Sequence, residues 1–267
     1  KNLPVRVLKG SQYTGTTYLG DNPSNPMIAI TCGGYHSMAI AANGSIYSFG
    51  NNNNGQLGDS TGTDRTTPIR VKKGEYLGTN FIGDNPVNPV VSISAGAFSS
   101  LILTADGAVH GLGFNGYGHL GDSSIINALT PVRTFKGEYN GNQFLGDNLV
   151  NPIVKVFNSI YHSLCLAYDG TVYSMGYNGY GELGNGTSTN SITPIKVIKG
   201  AYSGTTYLGD NPTNPVVSII GGDYHSIALM KDGTLFSFGY NSYGSLGDGT
   251  TIARYSPVAV VMGDYNG

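Results

Sequence analysis

Apolar runs of five or six residues recur along the chain, and Gly, Pro or Asn interrupts every run within about ten residues; no segment carries a period near 3.6. The runs predict strands, with helix content close to nil. They come in pairs around Asn43-Gly44, Asp106-Gly107, Asp169-Gly170 and Asp232-Gly233. Asn-Gly or Asp-Gly between two short apolar runs predicts a tight hairpin with both turn residues at positive φ. Within these hairpins Met38 and Ile40, Leu101 and Leu103, Leu164 and Leu166, and Ile227 and Leu229 alternate, yet the intervening Ala39, Ile102, Cys165 and Ala228 are non-polar too. Both faces of such a strand need cover, and without helices radially stacked sheets supply it.

The whole pattern repeats at a shift of 63 or 64 residues. Pro4-Val-Arg-Val-Leu-Lys-Gly10 recurs from Pro68, Pro131, Pro194 and, at the end, Pro257. We therefore divide the chain into repeats 4–67, 68–130, 131–193 and 194–256 with a partial fifth at 257–267, all one continuous array. Each copy opens with an aromatic, Gly-rich insert such as Tyr202-Ser-Gly-Thr-Thr-Tyr-Leu-Gly-Asp-Asn-Pro-Thr-Asn-Pro215. Its hairpin follows, and an Asn-x-x-Gly-x-Leu-Gly-Asp loop closes the unit.

In the fourth copy, Gly-x-x-His-Ser-x-Ala-Leu, Asp-Gly-Thr-x-Phe-Ser-Phe-Gly and Asn-x-x-Gly-x-Leu-Gly-Asp span Gly222 to Asp248, followed by Pro-x-x-Val at Pro257 to Val260. This string resembles the regulator of chromosome condensation repeat. The resemblance covers all four copies, although Ser99 replaces the His of the second and Ser159 a Gly of the third. It implies a β-propeller of four-stranded blades, commonly seven, with chain ends that often share a blade. The sequence departs from that pattern in its four copies, its longer insert, and its five Pro-x-x-Val-type strands for four hairpins. The expected architecture is an all-β open arc or a segment of a longer array, with a closed four-bladed ring as the alternative. Terminal blades of an arc would expose apolar faces that call for a partner or another copy of the chain.

Charge narrows the partner classes. Fourteen Lys and Arg stand against 16 Asp and Glu, a net charge of −2, so no basic stripe tracks a phosphate backbone and nucleic acid is not expected. No run approaches 18 apolar residues and no charged-then-apolar leader opens the chain, so neither a membrane span nor a signal peptide is expected. Low charge with abundant Asn, Thr and Tyr, together with Asn43-Gly-Ser45 and Asn185-Gly-Thr187 as glycan acceptors, leans toward an extracellular or cell-surface setting. Cys32 and Cys165 occupy different repeat positions, which argues against a disulfide and for two small buried residues.

Candidate chemistry is sparse. His36, His162 and His225 share one repeat position but lie whole blades apart, too far to converge on one ion, and read as hydrogen-bonding strand ends; His110 reads as packing. Asp21, Asp84, Asp147 and Asp210 put one carboxylate in each insert: calcium candidates, but also what an Asx turn requires. No triad, carboxylate pair or phosphate loop appears, so neither enzyme activity nor a cofactor is expected. Tyr117, Tyr180 and Tyr243 share a turn position and either form a recognition surface or pack on neighbouring loops. The segments after each Leu-Gly-Asp/Asn keep their length while changing chemistry, as loops released from structural duty would. Within them Asp64, Arg65, Ile125, Ile126, Arg254 and Tyr255 are partner-binding candidates.

The expected function is a non-catalytic interaction or self-assembly module that binds a protein partner or copies of itself. An exchange-type regulator of a small GTPase, which the resemblance implies among its relatives, and a carbohydrate-binding propeller are the alternatives.

Overall fold

The computed structural model describes residues 3–263; residues 264–267, the end of the partial fifth repeat, lie outside the described residues. The described residues form 16 strands, four to a sheet, in the order inner, middle, middle, outer. The first blade holds β1 (Met27–Cys32), β2 (His36–Ala41), β3 (Ile46–Gly50) and β4 (Arg65–Arg70). The second holds β5 (Val90–Ala95), β6 (Ser99–Thr104), β7 (Val109–Gly113) and β8 (Ala128–Arg133). The third holds β9 (Ile153–Asn158), β10 (His162–Ala167), β11 (Val172–Gly176) and β12 (Ser191–Lys196), and the fourth β13 (Val216–Gly221), β14 (His225–Met230), β15 (Leu235–Gly239) and β16 (Arg254–Ala259). Each sheet is antiparallel throughout, and blades pack face to face in chain order without closing a ring.

Stacking buries the middle strands on both sides. Every residue of β6 and of β10 is buried. In β14 burial alternates, leaving His225, Ile227 and Leu229 half-exposed on the face turned away from the third blade. The matching face of the first blade opens as an apolar hollow of about 500 Å³ lined by Val7, Leu19, Met27, Ile30, Met38 and Phe49 among others. The first of the five Pro-x-x-Val segments has no hairpin to join: Val5 and Val7 are exposed, and the segment's one bridge is Leu8 to Tyr18.

Between blades run hydrogen bonds that explain the repeated His-Ser pair. His36 Nε2 lies 2.7 Å from Ser100 Oγ and His162 Nε2 lies 2.9 Å from Ser226 Oγ, each reaching the blade that follows. The second blade has Ser99 in place of the histidine and fills the space from two sides. Asn158 Nδ2 donates to Ser99 Oγ at 2.9 Å, and His119 Nε2 contacts the same oxygen at 2.9 Å. His36 and His162 thus have the structural role read from the sequence, each meeting a serine near the start of the next blade's second strand, and His162 Nδ1 also lies 2.8 Å from Ser159 Oγ. Burial pushes His36 down to about 4 and His162 to about 3, so both stay neutral.

Two readings of local structure are corrected. The hairpin turns are three-residue loops in which Gly alone has positive φ, as at Gly44 with φ 84°, while Asn43 and its counterparts do not. The Asn43 Oδ1 accepts the Ser45 N–H at 3.0 Å, and Gly44 N–H donates to Ala41 O at 2.8 Å, the pattern of a type I turn closed by a left-handed Gly. The second correction concerns Cys32, which is exposed on the innermost strand; Cys165 is buried as expected, and both are free thiols.

Candidate recognition surface

The two ends of the blades differ. At the lower end lie the hairpin turns and the inserts. Each insert Asp is consumed locally: Asp210 accepts the N–H groups of Thr205, Thr206 and Tyr207 and the Thr205 hydroxyl, all between 2.6 and 2.9 Å. Burial works to raise its carboxyl, but these hydrogen bonds outweigh that and hold it at about 2. Asp21, Asp84 and Asp147 sit in the same cradle, each accepting three backbone N–H groups. This is turn chemistry, and among the described residues no three His, Cys, Asp or Glu side chains gather around a common point.

The insert also clasps its own blade and the one before it. Tyr202 is buried, donates to Asn214 O at 2.7 Å and packs edge-on to Phe236. Asn214 in turn binds the Asp232 turn through both ends of its amide. Arg6, Arg70, Arg133 and Lys196 each cover one insert ring, those of Tyr18, Phe81, Phe144 and Tyr207, at 3.9 to 4.6 Å from the centroid. Every aromatic ring of this kind at the lower end therefore has its own cation.

The upper end carries the Gly-x-x-His turns and the Asn-x-x-Gly-x-Leu-Gly-Asp loops. A buried Asn organises each loop: Asn178 Oδ1 accepts Leu183 N–H at 2.9 Å while its Nδ2 reaches Asn185, Thr187 O and Thr189 O. Asn185, one of the two glycan acceptors, is thus held inside its own loop, its Oδ1 also accepting the Thr187 N–H and hydroxyl. Several residues read as free of structural duty are bound in the same way, which corrects that reading. Asp64 accepts Asn52 N–H at 2.8 Å, Arg65 pairs with Asp59, and Arg254 Nε pairs with Asp248 at 2.6 Å. Tyr255 lies in β16, its carbonyl accepting Gly186 N–H of the third blade at 2.7 Å. Ile125 and Ile126 do stand free, 61% and 73% exposed.

Tyr117, Tyr180 and Tyr243 come together with four tyrosines that the sequence reading passed over, Tyr161, Tyr177, Tyr224 and Tyr240. The seven rings line a groove of about 500 Å³ across the second, third and fourth blades. Neighbouring centroids stand 4.9 to 6.5 Å apart and almost all contacts are edge-to-face, a ladder that begins at Tyr161–Tyr117 and ends at Tyr240–Tyr243. Two residues on from Tyr180, Glu182 is fully buried. Its Oε2 accepts Tyr180 N–H at 2.8 Å, its Oε1 has no partner, and burial raises the carboxyl to about 7. The missed tyrosines had a signal: they fill two further repeat positions, the residue before each His and the residue after each Phe-Gly or Met-Gly, which hold Tyr35 and Asn51 in the first copy.

Comparison with known proteins fixes the family. The regulator of chromosome condensation (RCC1) repeat model matches residues 43–103, 169–229 and 232–264, and a second model of the same repeat matches 27–56, 90–118, 153–182 and 216–245. The chain belongs to the RCC1 repeat family. It is 28% identical over 236 residues to the ultraviolet-B receptor UVR8 of Arabidopsis thaliana, covering 88% of this chain and 46% of that protein. It is 30% identical over 240 residues to the probable E3 ubiquitin-protein ligase HERC4 of Homo sapiens, again 88% of this chain but 19% of that one. The chain thus spans less than half the length of these curated relatives. Among solved structures, human WBSCR16 superimposes with a TM-score of 0.74 at 24% identity, covering 91% of this chain and 55% of that one. Prp20p of Saccharomyces cerevisiae does so at 0.67 and 18%, covering 96% and 57%. These likenesses establish the RCC1-type propeller fold.

Proposed function

We propose that the chain is a non-catalytic protein-interaction module whose contact surface is the tyrosine groove at the upper end of the blades. The observation that carries this reading is the contrast in satisfaction. The rings of the inserts are buried or covered, whereas Tyr180 is 40% and Tyr243 90% exposed in a ladder that extends over three blades. Exposed tyrosine brings large contact area with few rotatable bonds, which suits a protein-binding site. Relatives support the class of function, since the yeast Prp20p structure was described with its binding to Gsp1p and histones. The exchange-regulator alternative rests on that relative alone.

Selection from a random peptide display library on the full chain tests the proposal. Selected peptides should lose binding at least tenfold to a Tyr180→Ala, Tyr240→Ala double variant; peptides that ignore the groove would reject it.

Self-assembly is a second reading, favoured by the hollow on the first blade and the half-exposed face of β14. Two copies stacked end to end would set His225 of one against Ser37 of the other, repeating the His-Ser contact that joins the internal blades. Sedimentation of the full chain should then show oligomers that an Ile30→Asp substitution in the exposed rim of the hollow disperses, and a concentration-independent monomer would dismiss it.

A further inference from the structure

The molecule treats the aromatic rings at its two ends differently. Four insert rings at the lower end each lie under an Arg or Lys of the chain, but tyrosines alone line the upper groove. The sequence explains why. The upper turns and loops, residues 33–35, 51–64, 96–98, 114–127, 159–161, 177–190, 222–224 and 240–253, contain no Lys or Arg at all. Arg65 and Arg254, which follow two of these loops directly as the first residues of β4 and β16, are neutralised by Asp59 and Asp248. The same segments hold Asp59, Asp64, Asp122, Glu182, Asp223 and Asp248. An electronegative end with exposed tyrosines that no cation of the chain covers is the complement of a positive charge.

Resting on the proposed interaction role, we infer that the tyrosine groove recognises a cationic side chain, an arginine or a methylated lysine presented by a basic segment of the partner. The face of each ring carries the negative part of its quadrupole, and a cation within about 6 Å of several ring centroids is held by all of them. The groove of about 500 Å³ lined by the rings has room for such a head group beside the ladder. Glu182 adds the second element, a buried carboxyl with one oxygen unpartnered and the other accepting the Tyr180 N–H. An arriving cation would favour its ionised form, so binding and ionisation support each other.

Isothermal titration of the full chain with three short peptides, alike except at one central residue, reads this directly. The central residues are trimethyllysine, arginine, and the neutral isostere in which a tert-butyl group replaces the trimethylammonium. The charged peptides should bind at least tenfold more tightly than the isostere. Tyr180→Ala should remove most of that difference, Tyr180→Phe should keep it, and Tyr168→Ala, an exposed tyrosine at the lower end, should leave it untouched. Glu182→Gln should weaken the charged peptides a few-fold and leave the isostere unchanged. Equal affinity for charged and neutral peptides, or no binding of any up to millimolar concentration, would overturn the inference. Display-selected peptides that lack basic residues yet depend on Tyr180 would overturn it too, while leaving the groove as a protein-binding site.

Discussion

Tyr202 and Tyr243 belong to the same repeat, one in the insert and one in the Asn-x-Tyr-Gly turn, and have opposite fates. Tyr202 is buried under its insert with its hydroxyl both donating and accepting, while Tyr243 is 90% exposed at the end of the upper ladder. The same residue type closes one end of the blade and decorates the other. Since a fold gains little from holding large rings in water, the upper rings are where a binding role is to be sought.

The comparison breaks most visibly in stability. Tyr202→Ala should cost about 3–5 kcal/mol, from the cavity left against Phe236 and the lost hydrogen bonds, whereas Tyr243→Ala should stay within about 0.5 kcal/mol; urea titration distinguishes them. Next in size comes the seam between blades: His162→Ala removes a buried ring and the Ser226 contact and should cost about 2–4 kcal/mol. Ser99 shows that this position can dispense with histidine, but there Asn158 and His119 fill the gap. A single substitution in the third blade has no such compensation.

Sequence and structure agree where one repeat position has one job. The four-stranded blades, their stacking and the open arc follow from the period, the two-sided apolar strands and the surplus Pro-x-x-Val segment. What the sequence hid were jobs shared between copies. The loops after Leu-Gly-Asp vary in composition yet stay bound: Asp64, Asn127 and Asn190 each accept the N–H of the loop's buried Asn, and Arg65 and Arg254 pair with Asp59 and Asp248, so divergence there does not mean freedom. The ladder was legible only in part because its rings come from three repeat positions that converge in space, of which the Asn-x-Tyr-Gly turn was one. Cys32 misled because its counterparts Ala95, Asn158 and Gly221 are half-buried or buried, whereas Cys32 lies at the open hollow of the first blade.

Titration sharpens the contrast further. His36, His110, His119 and His162 are held neutral by burial at about 3 to 4. The unfolded chain takes up protons below about 6.5, so their contribution is fully present above that pH and is lost as pH falls toward 4 and 3. Glu182 runs the other way. Its carboxyl is raised to about 7, so the fold is favoured below about 4.5 and loses that advantage as pH rises through 7. Denaturant midpoints should therefore drop on acidification in every variant that keeps the histidines. A smaller effect than the seam's is expected from Glu182→Gln, which should stabilise the fold by about 1–2 kcal/mol at pH 8 and do nothing at pH 4.

Nitration of tyrosines by tetranitromethane, mapped by mass spectrometry on the full chain with and without a selected peptide, tests the claim that the upper groove is the contact surface. In the free protein Tyr180 and Tyr243 should be modified and Tyr202 spared, and the peptide should protect Tyr180 with its ladder neighbours while leaving Tyr168 reactive. Protection of Tyr168, or unchanged modification of the ladder on binding, would place the partner elsewhere on the molecule.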